Sequence, residues 1–216
     1  MSCFRPVAAL LIVLLPAAAC LATDIGFQQL LEEGGLEFQP PEGMQVKKVE
    51  PAYVMPYEAR YVSKEGELEV RYAIRPLQRI EIDYQDPHNA APAPNDLFNM
   101  LFRTLSETLA RDHQVMSRIY PAEMAREEYR AGWAAIGVFD LSPDISSEYR
   151  EAMLIAIHQN DKADAYTLFL TNDLAAQKVR IKKLRSNLKF KVFENPINTP
   201  PSPEELQQLP MIDEKG

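Results

Sequence analysis

The most regular pattern in the chain is an alternation of period two over residues 57–74. Tyr57, Ala59 and Tyr61 alternate with Glu58 and Arg60, and after Lys64-Glu65-Gly66 the residues Leu68, Val70, Tyr72 and Ile74 alternate with Glu69 and Arg71. This spacing predicts two strands, 57–62 and 67–74, joined by a short turn, with the apolar set buried and the charged set facing water. Pro76 interrupts the run. Ile80, Ile82 and Tyr84 then resume it against Arg79, Glu81 and Asp83, which predicts a further extended piece. Upstream, residues 24–35 read as a short helical or irregular segment closed by Gly34-Gly35. Leu36-Glu37-Phe38 begins an extended stretch, turned by Pro40-Pro41-Glu42-Gly43 and resumed over Met44 to Val49.

After a proline-rich loop over residues 85–94 the period becomes helical. Asn95 or Asp96 is placed to cap a helix whose apolar stripe is Leu97, Leu101, Leu105 and Leu109, flanked by Phe98 and Phe102. Residues 111–132 are ambiguous, with Pro121 placed to open a short helix through Tyr129 that stops at Gly132. Three apolar runs follow, at 133–141, 152–158 and 165–171, and a polar loop joins the last two. They are apolar on both faces at several positions, as central strands covered by helices are. A last helix starts after Thr171 or Asn172 and runs to about Arg185, with Leu174, Ile181 and Leu184 on its apolar side. The order predicts an α+β domain over residues 24–191, an antiparallel sheet covered by helices. Residues 192–216, rich in proline and without a packing pattern, predict a flexible tail.

The first 22 residues change the picture of where this domain works. Arg5 is followed by an uncharged stretch from Pro6 to Ala22, with an apolar centre from Val7 to Leu15 that Pro16 ends ahead of small residues. That is the layout of an export signal, too short in its apolar centre for a comfortable membrane span. Two processing routes stay open. Cleavage after Ala19 or Ala22 frees the domain, whereas Ala17-Ala18-Ala19-Cys20 read as a lipobox makes Cys20 the acylated first residue and ties the domain to a membrane. Cys3 and Cys20 are the 2 cysteines of the chain, so the exported domain is expected to fold without disulfide or thiol chemistry. Losing Arg5 takes the 23 Lys and Arg to 22 against 31 Asp and Glu, a net charge near −9. An acidic, exported chain is not expected to bind nucleic acid.

Candidate chemistry is sparse. His88, His113 and His158 share no ligand spacing, and each fits a surface, cap or strand-end position. His158 with Asp161 and Asp164 is the one combination that could form a small polar site at a strand end. Neither a Gly-x-Ser-x-Gly elbow nor a phosphate-binding glycine loop occurs, and no metal or cofactor is expected. The unusual composition lies in Lys178, Arg180, Lys182, Lys183, Arg185, Lys189 and Lys191, 7 basic residues within 14 positions. They fit a solvated helix face whose charge favours the helix C-terminus, or a docking surface for anionic lipid headgroups, cell-envelope polymer or an acidic partner.

The segment Leu36-Glu37-Phe38-Gln39-Pro40-Pro41-Glu42-Gly43-Met44 resembles the opening of the PsbP/Mog1/DcrB-like superfamily: an extended apolar pair, Pro-x-Gly, then a strand. The order of hairpin, helix, three long strands and terminal helix is similar to it over residues 36–190. The resemblance implies an α/β/α sandwich and accessory or binding proteins, several exported or lipid-anchored, without a shared catalytic set. The expectation is therefore a non-catalytic exported envelope protein with a binding or assembly role, in the bacterial periplasm or lipid-anchored. The alternatives are a carrier with an apolar pocket between helix 95–110 and the sheet, and an envelope hydrolase.

Overall fold

The computed structural model describes residues 25–82 and 92–192. The expected signal segment with Cys20, the stretch holding Tyr84 and His88, and the expected tail beyond residue 192 lie outside them. In chain order the first elements are α1 (Ile25–Glu33), β1 (Leu36–Phe38), β2 (Met44–Lys47), β3 (Ala59–Ser63) and β4 (Leu68–Pro76). Then come α2 (Phe98–Leu109), β5 (Met116–Ile119), α3 (Ala122–Tyr129), β6 (Trp133–Asp140) and β7 (Glu151–Gln159). The last are β8 (Ala163–Thr171), α4 (Leu174–Leu184) and β9 (Leu188–Phe190).

Seven strands form one antiparallel sheet in the order β2-β3-β4-β8-β7-β6-β5, and β1 pairs with β9 in a separate ribbon. Helices cover both faces, which makes the architecture an α/β/α sandwich. One face carries α1, α3, α4 and the ribbon on Leu68, Val70, Tyr72, Ile155 and Phe169. The other carries α2 and the loop over residues 49–57 on Ala73, Leu154, Leu168 and Leu170. The long strands β4, β8 and β7 sit between these layers, and all of β8 is buried. Their apolar positions on both faces follow from that double cover.

The hairpin that the alternation predicts forms, with its strands at Ala59–Ser63 and Leu68–Pro76, although its charged face is not left to solvent. Gly66 takes the left-handed conformation, φ 77°, that its turn requires. Ser63 Oγ accepts from the Glu67 and Leu68 amides at 3.0 and 3.1 Å and fixes the register of β4. Elsewhere the structure corrects several expectations. Ile80 and Ile82 are not in a strand: a 3₁₀ turn at Leu77–Arg79 ends the run. The reason is register, because Leu68–Pro76 already spans the whole of Thr171–Ala163 and leaves β8 no partner positions for residues 80–82. Asn95 and Asp96 do not cap α2. They lie in a 3₁₀ turn, and Asn95 instead bonds Asp161.

The face that α2 buries also differs from the leucine stripe. The departure is at Leu101, which stays exposed; Phe102, Ser106 and Leu109 are buried, and Leu97, Phe98 and Leu105 partly so. A Cβ at Gly137 would stand 3.2 Å from Val115 and 3.4 Å from Phe102 Cζ, so the missing side chain makes the seat for the Phe102 ring. The ambiguous 111–132 region resolves into the edge strand β5 and helix α3, with Pro121 just before the helix rather than at its first position. Finally, β9 lies where the sequence shows a helix flank. Its pairing, Leu36 with Phe190 through Phe38 with Leu188, is a contact between chain ends that no local pattern reveals.

Candidate functional site

Three places gather functional groups, two of them singled out by sequence and one not. The first is α4. Asp173 caps it, its carboxylate accepting from the Ala176 amide at 2.9 Å, and Ile181 and Leu184 anchor it in the core. The seven basic residues divide into two groups. Arg180 pairs with Glu65 at 3.7 Å, Arg185 with Glu128, and Lys189 with Glu37 at 3.2 Å, so these three tie neighbouring elements together. Lys178, Lys182, Lys183 and Lys191 are exposed and hold no ion pair among the described residues. Val179, 70% exposed, stands among the three helical lysines. With Ala175 these residues recur at one-turn spacing and make one continuous outer face.

The second place is the end of the β7–β8 hairpin. His158 and Asp164 are cross-strand partners in the ladder. His158 Nδ1 lies 2.7 Å from Asp164 Oδ1 and Nε2 2.9 Å from Asn160 Oδ1. An imidazolium donates to both oxygens. A neutral ring donates to Asp164 and accepts from the Asn160 amide in its turned orientation. The couple is sealed: His158 and Asp164 are 1% and 2% exposed, and Phe98 stacks on the imidazole at 4.2 Å. Asp161 stands outside it. Its amide donates to Asn95 Oδ1 at 2.9 Å from a left-handed turn position, φ 59°, so it joins the loop before α2 to the hairpin. His113 lies beyond the opposite end of α2, about 18 Å along the helix axis, donating through Nδ1 to Glu107 O at 2.9 Å. His113 and His158 are therefore not brought together, and the described residues contain no metal-holding group of three His, Cys, Asp or Glu.

The third place was read from sequence as the wet face of the hairpin, and the structure buries it. Glu69 is 0% and Arg71 8% exposed. Arg60 Nη2 donates to Glu69 Oε2 at 2.9 Å and Arg71 Nε to Oε1 at 2.6 Å, so one carboxylate holds two guanidinium groups. Arg60 also donates to Glu50 at 2.6 Å. The Arg71 guanidinium lies over the Tyr57 ring, 4.9 Å from its centre. The loop over residues 49–57 closes above this network and leaves a cavity of about 160 Å³ beside the end of α2. The available signal was the mixing of sign: Arg60 and Arg71 face each other in the ladder with Glu69 next to them, a pattern that supports its own burial.

The class defined by these layers is an antiparallel α/β/α sandwich. No protein-family model matches the chain, and no curated protein matches it. Among solved structures it has a distant, partial likeness to the solution structure of cyanobacterial PsbP (CyanoP) from Synechocystis sp. PCC 6803. That likeness covers 73% of this chain and 88% of the other, at 11% identity and a TM-score of 0.37.

Proposed function

We propose that this chain is a non-catalytic accessory protein exported to the cell envelope, and that α4 docks it on an anionic lipid surface. The exposed face of α4 carries this reading: Lys178, Lys182 and Lys183 surround Val179 without an acidic partner among the described residues. Lysines at headgroup level around an apolar side chain is how an interfacial helix meets a bilayer. The net charge of −8 does not oppose it at short range, because charges beyond a screening length of about 8 Å at physiological salt contribute little. The export reading of residues 1–22, with either fate of Cys20, puts the domain where such surfaces are. No helix of the described residues is long and apolar enough to cross a membrane.

Co-sedimentation of the intact chain with vesicles tests the reading. Vesicles with anionic phosphatidylglycerol retain the protein at low salt and purely zwitterionic ones do not. At about 1 kcal/mol for each basic residue near such a surface, the triple Lys178→Gln, Lys182→Gln, Lys183→Gln variant binds on the order of a hundredfold more weakly. Equal retention of variant and wild type overturns the assignment. A mature mass raised by acyl chains and restored by Cys20→Ser would identify the lipid-anchored form.

A further inference from the structure

We infer that the cavity under the 49–57 loop is a binding site for a small apolar amino acid, recognised as a zwitterion. The inference is independent of docking by α4. Its floor is Arg71, whose Nε is committed to Glu69 and whose plane is fixed over Tyr57. Arg71 lines the cavity, and neither of its terminal nitrogens has a hydrogen-bond partner among the described residues. A guanidinium held rigid on one edge, with its other donors free, is preorganised for a carboxylate. Burial adds to this, since the side chain is 9% exposed and interacts in a medium of lowered dielectric.

The opposite sign is present at the rim. Asp144 lines the same cavity, is exposed, and its carboxylate pairs with no cation among the described residues. Glu50, also on the rim, is already bound by Arg60. A plain carboxylate would satisfy Arg71 but face Asp144, and a plain amine would do the reverse. A ligand carrying both charges meets both. The aliphatic side chains of Val54, Met55, Leu109 and Leu168 also line the cavity and can take the small apolar side chain. A volume of about 160 Å³ has room for a small amino acid. The site is assembled from β4, β8, the loop before β3, the end of α2 and the loop after β6, which is why no sequence motif marks it.

The test is a titration of the intact chain followed by amide chemical shifts, with three probes of one carbon frame: valine, isovalerate without the ammonium, and isobutylamine without the carboxylate. Valine is expected to shift resonances of residues 52–57 and 144–145, with each truncated probe about tenfold weaker or worse. Because Arg71 also supports Glu69, the variants avoid it. Ala52→Phe fills the cavity from its loop wall and is expected to abolish the shifts while thermal unfolding stays that of wild type. Asp144→Asn is expected to make valine and isovalerate bind alike. No valine-dependent shift at millimolar concentration, equal binding of valine and isovalerate to the wild type, or undiminished binding to Ala52→Phe overturns the inference.

Discussion

Tyr72 and Glu69 lie three residues apart on β4, point to opposite faces of the sheet, and are both fully buried. The Tyr72 ring meets Phe38 and Tyr61 at 4.8 and 6.0 Å, but its hydroxyl has no hydrogen-bond partner among the described residues. Burial holds that hydroxyl far above the ordinary tyrosine range, so it stays protonated and only costs desolvation. Tyr72→Phe keeps the ring contacts and removes the orphan group. It is expected to leave stability unchanged or raise it by about 1 kcal/mol, read from the urea midpoint. Glu69→Gln does the opposite, because it leaves Arg60 and Arg71 without the carboxylate that lets them be buried. A loss of about 3–5 kcal/mol is expected, against near neutrality if the network were solvated. Both residues were legible as strand positions. That the charged face would also be covered was not, because the covering loop has no period of its own.

At the scale of elements, two ties decide how helices sit. The end of α1 is held by Arg79, which donates to Glu33 at 2.5 and 2.7 Å. That hydrogen bonding lowers the Glu33 pKa to about 2. Glu37 is lowered as well: partial burial opposes the shift, and hydrogen bonds from Lys189 and Arg130 overcome it. A folded-state pKa below the unfolded one stabilises fully above the ordinary carboxylate range, and the gain is lost as pH falls through the folded value. Glu33→Gln is thus expected to be less stable than wild type at pH 6, with the difference closing as pH falls towards about 2. Identical pH profiles would mean that the ion pair contributes nothing. The second tie is the Phe102 seat at Gly137. Gly137→Val is expected to cost about 1–3 kcal/mol by overpacking against Phe102 and Val115, checked by thermal unfolding. The 3.6-residue period gave the existence of α2 and most of its buried side, and placed only Leu101 wrongly. Four leucines and two phenylalanines fit two adjacent faces, and only the empty space at Gly137 selects between them.

For the molecule as a whole, the central strands and the edges should differ in stability. Amides of β4, β7 and β8 are buried under both helical layers, whereas all four residues of β5 are exposed at one edge and β2 is exposed at the other. Hydrogen exchange is expected to be slowest in β7 and β8 and fastest among strands in β5 and β2; uniform protection would contradict this layering. Local pattern was enough for the alternating and doubly apolar strands, the helices that cover them, and hence the sandwich class. These depend on which side chains must leave water, and that is written in local periodicity. Contacts between distant segments set the rest: the β1–β9 ribbon, the end of the hairpin's register at Pro76, and the sealing of His158 with Asp164. They also divided one basic run into residues that tie elements together and residues that face solvent, and they turned Glu69 and Arg71 inward beneath a loop. Charge and spacing along a chain list the groups that can meet. Which of them lose water and find a partner depends on the surfaces that folding brings over them.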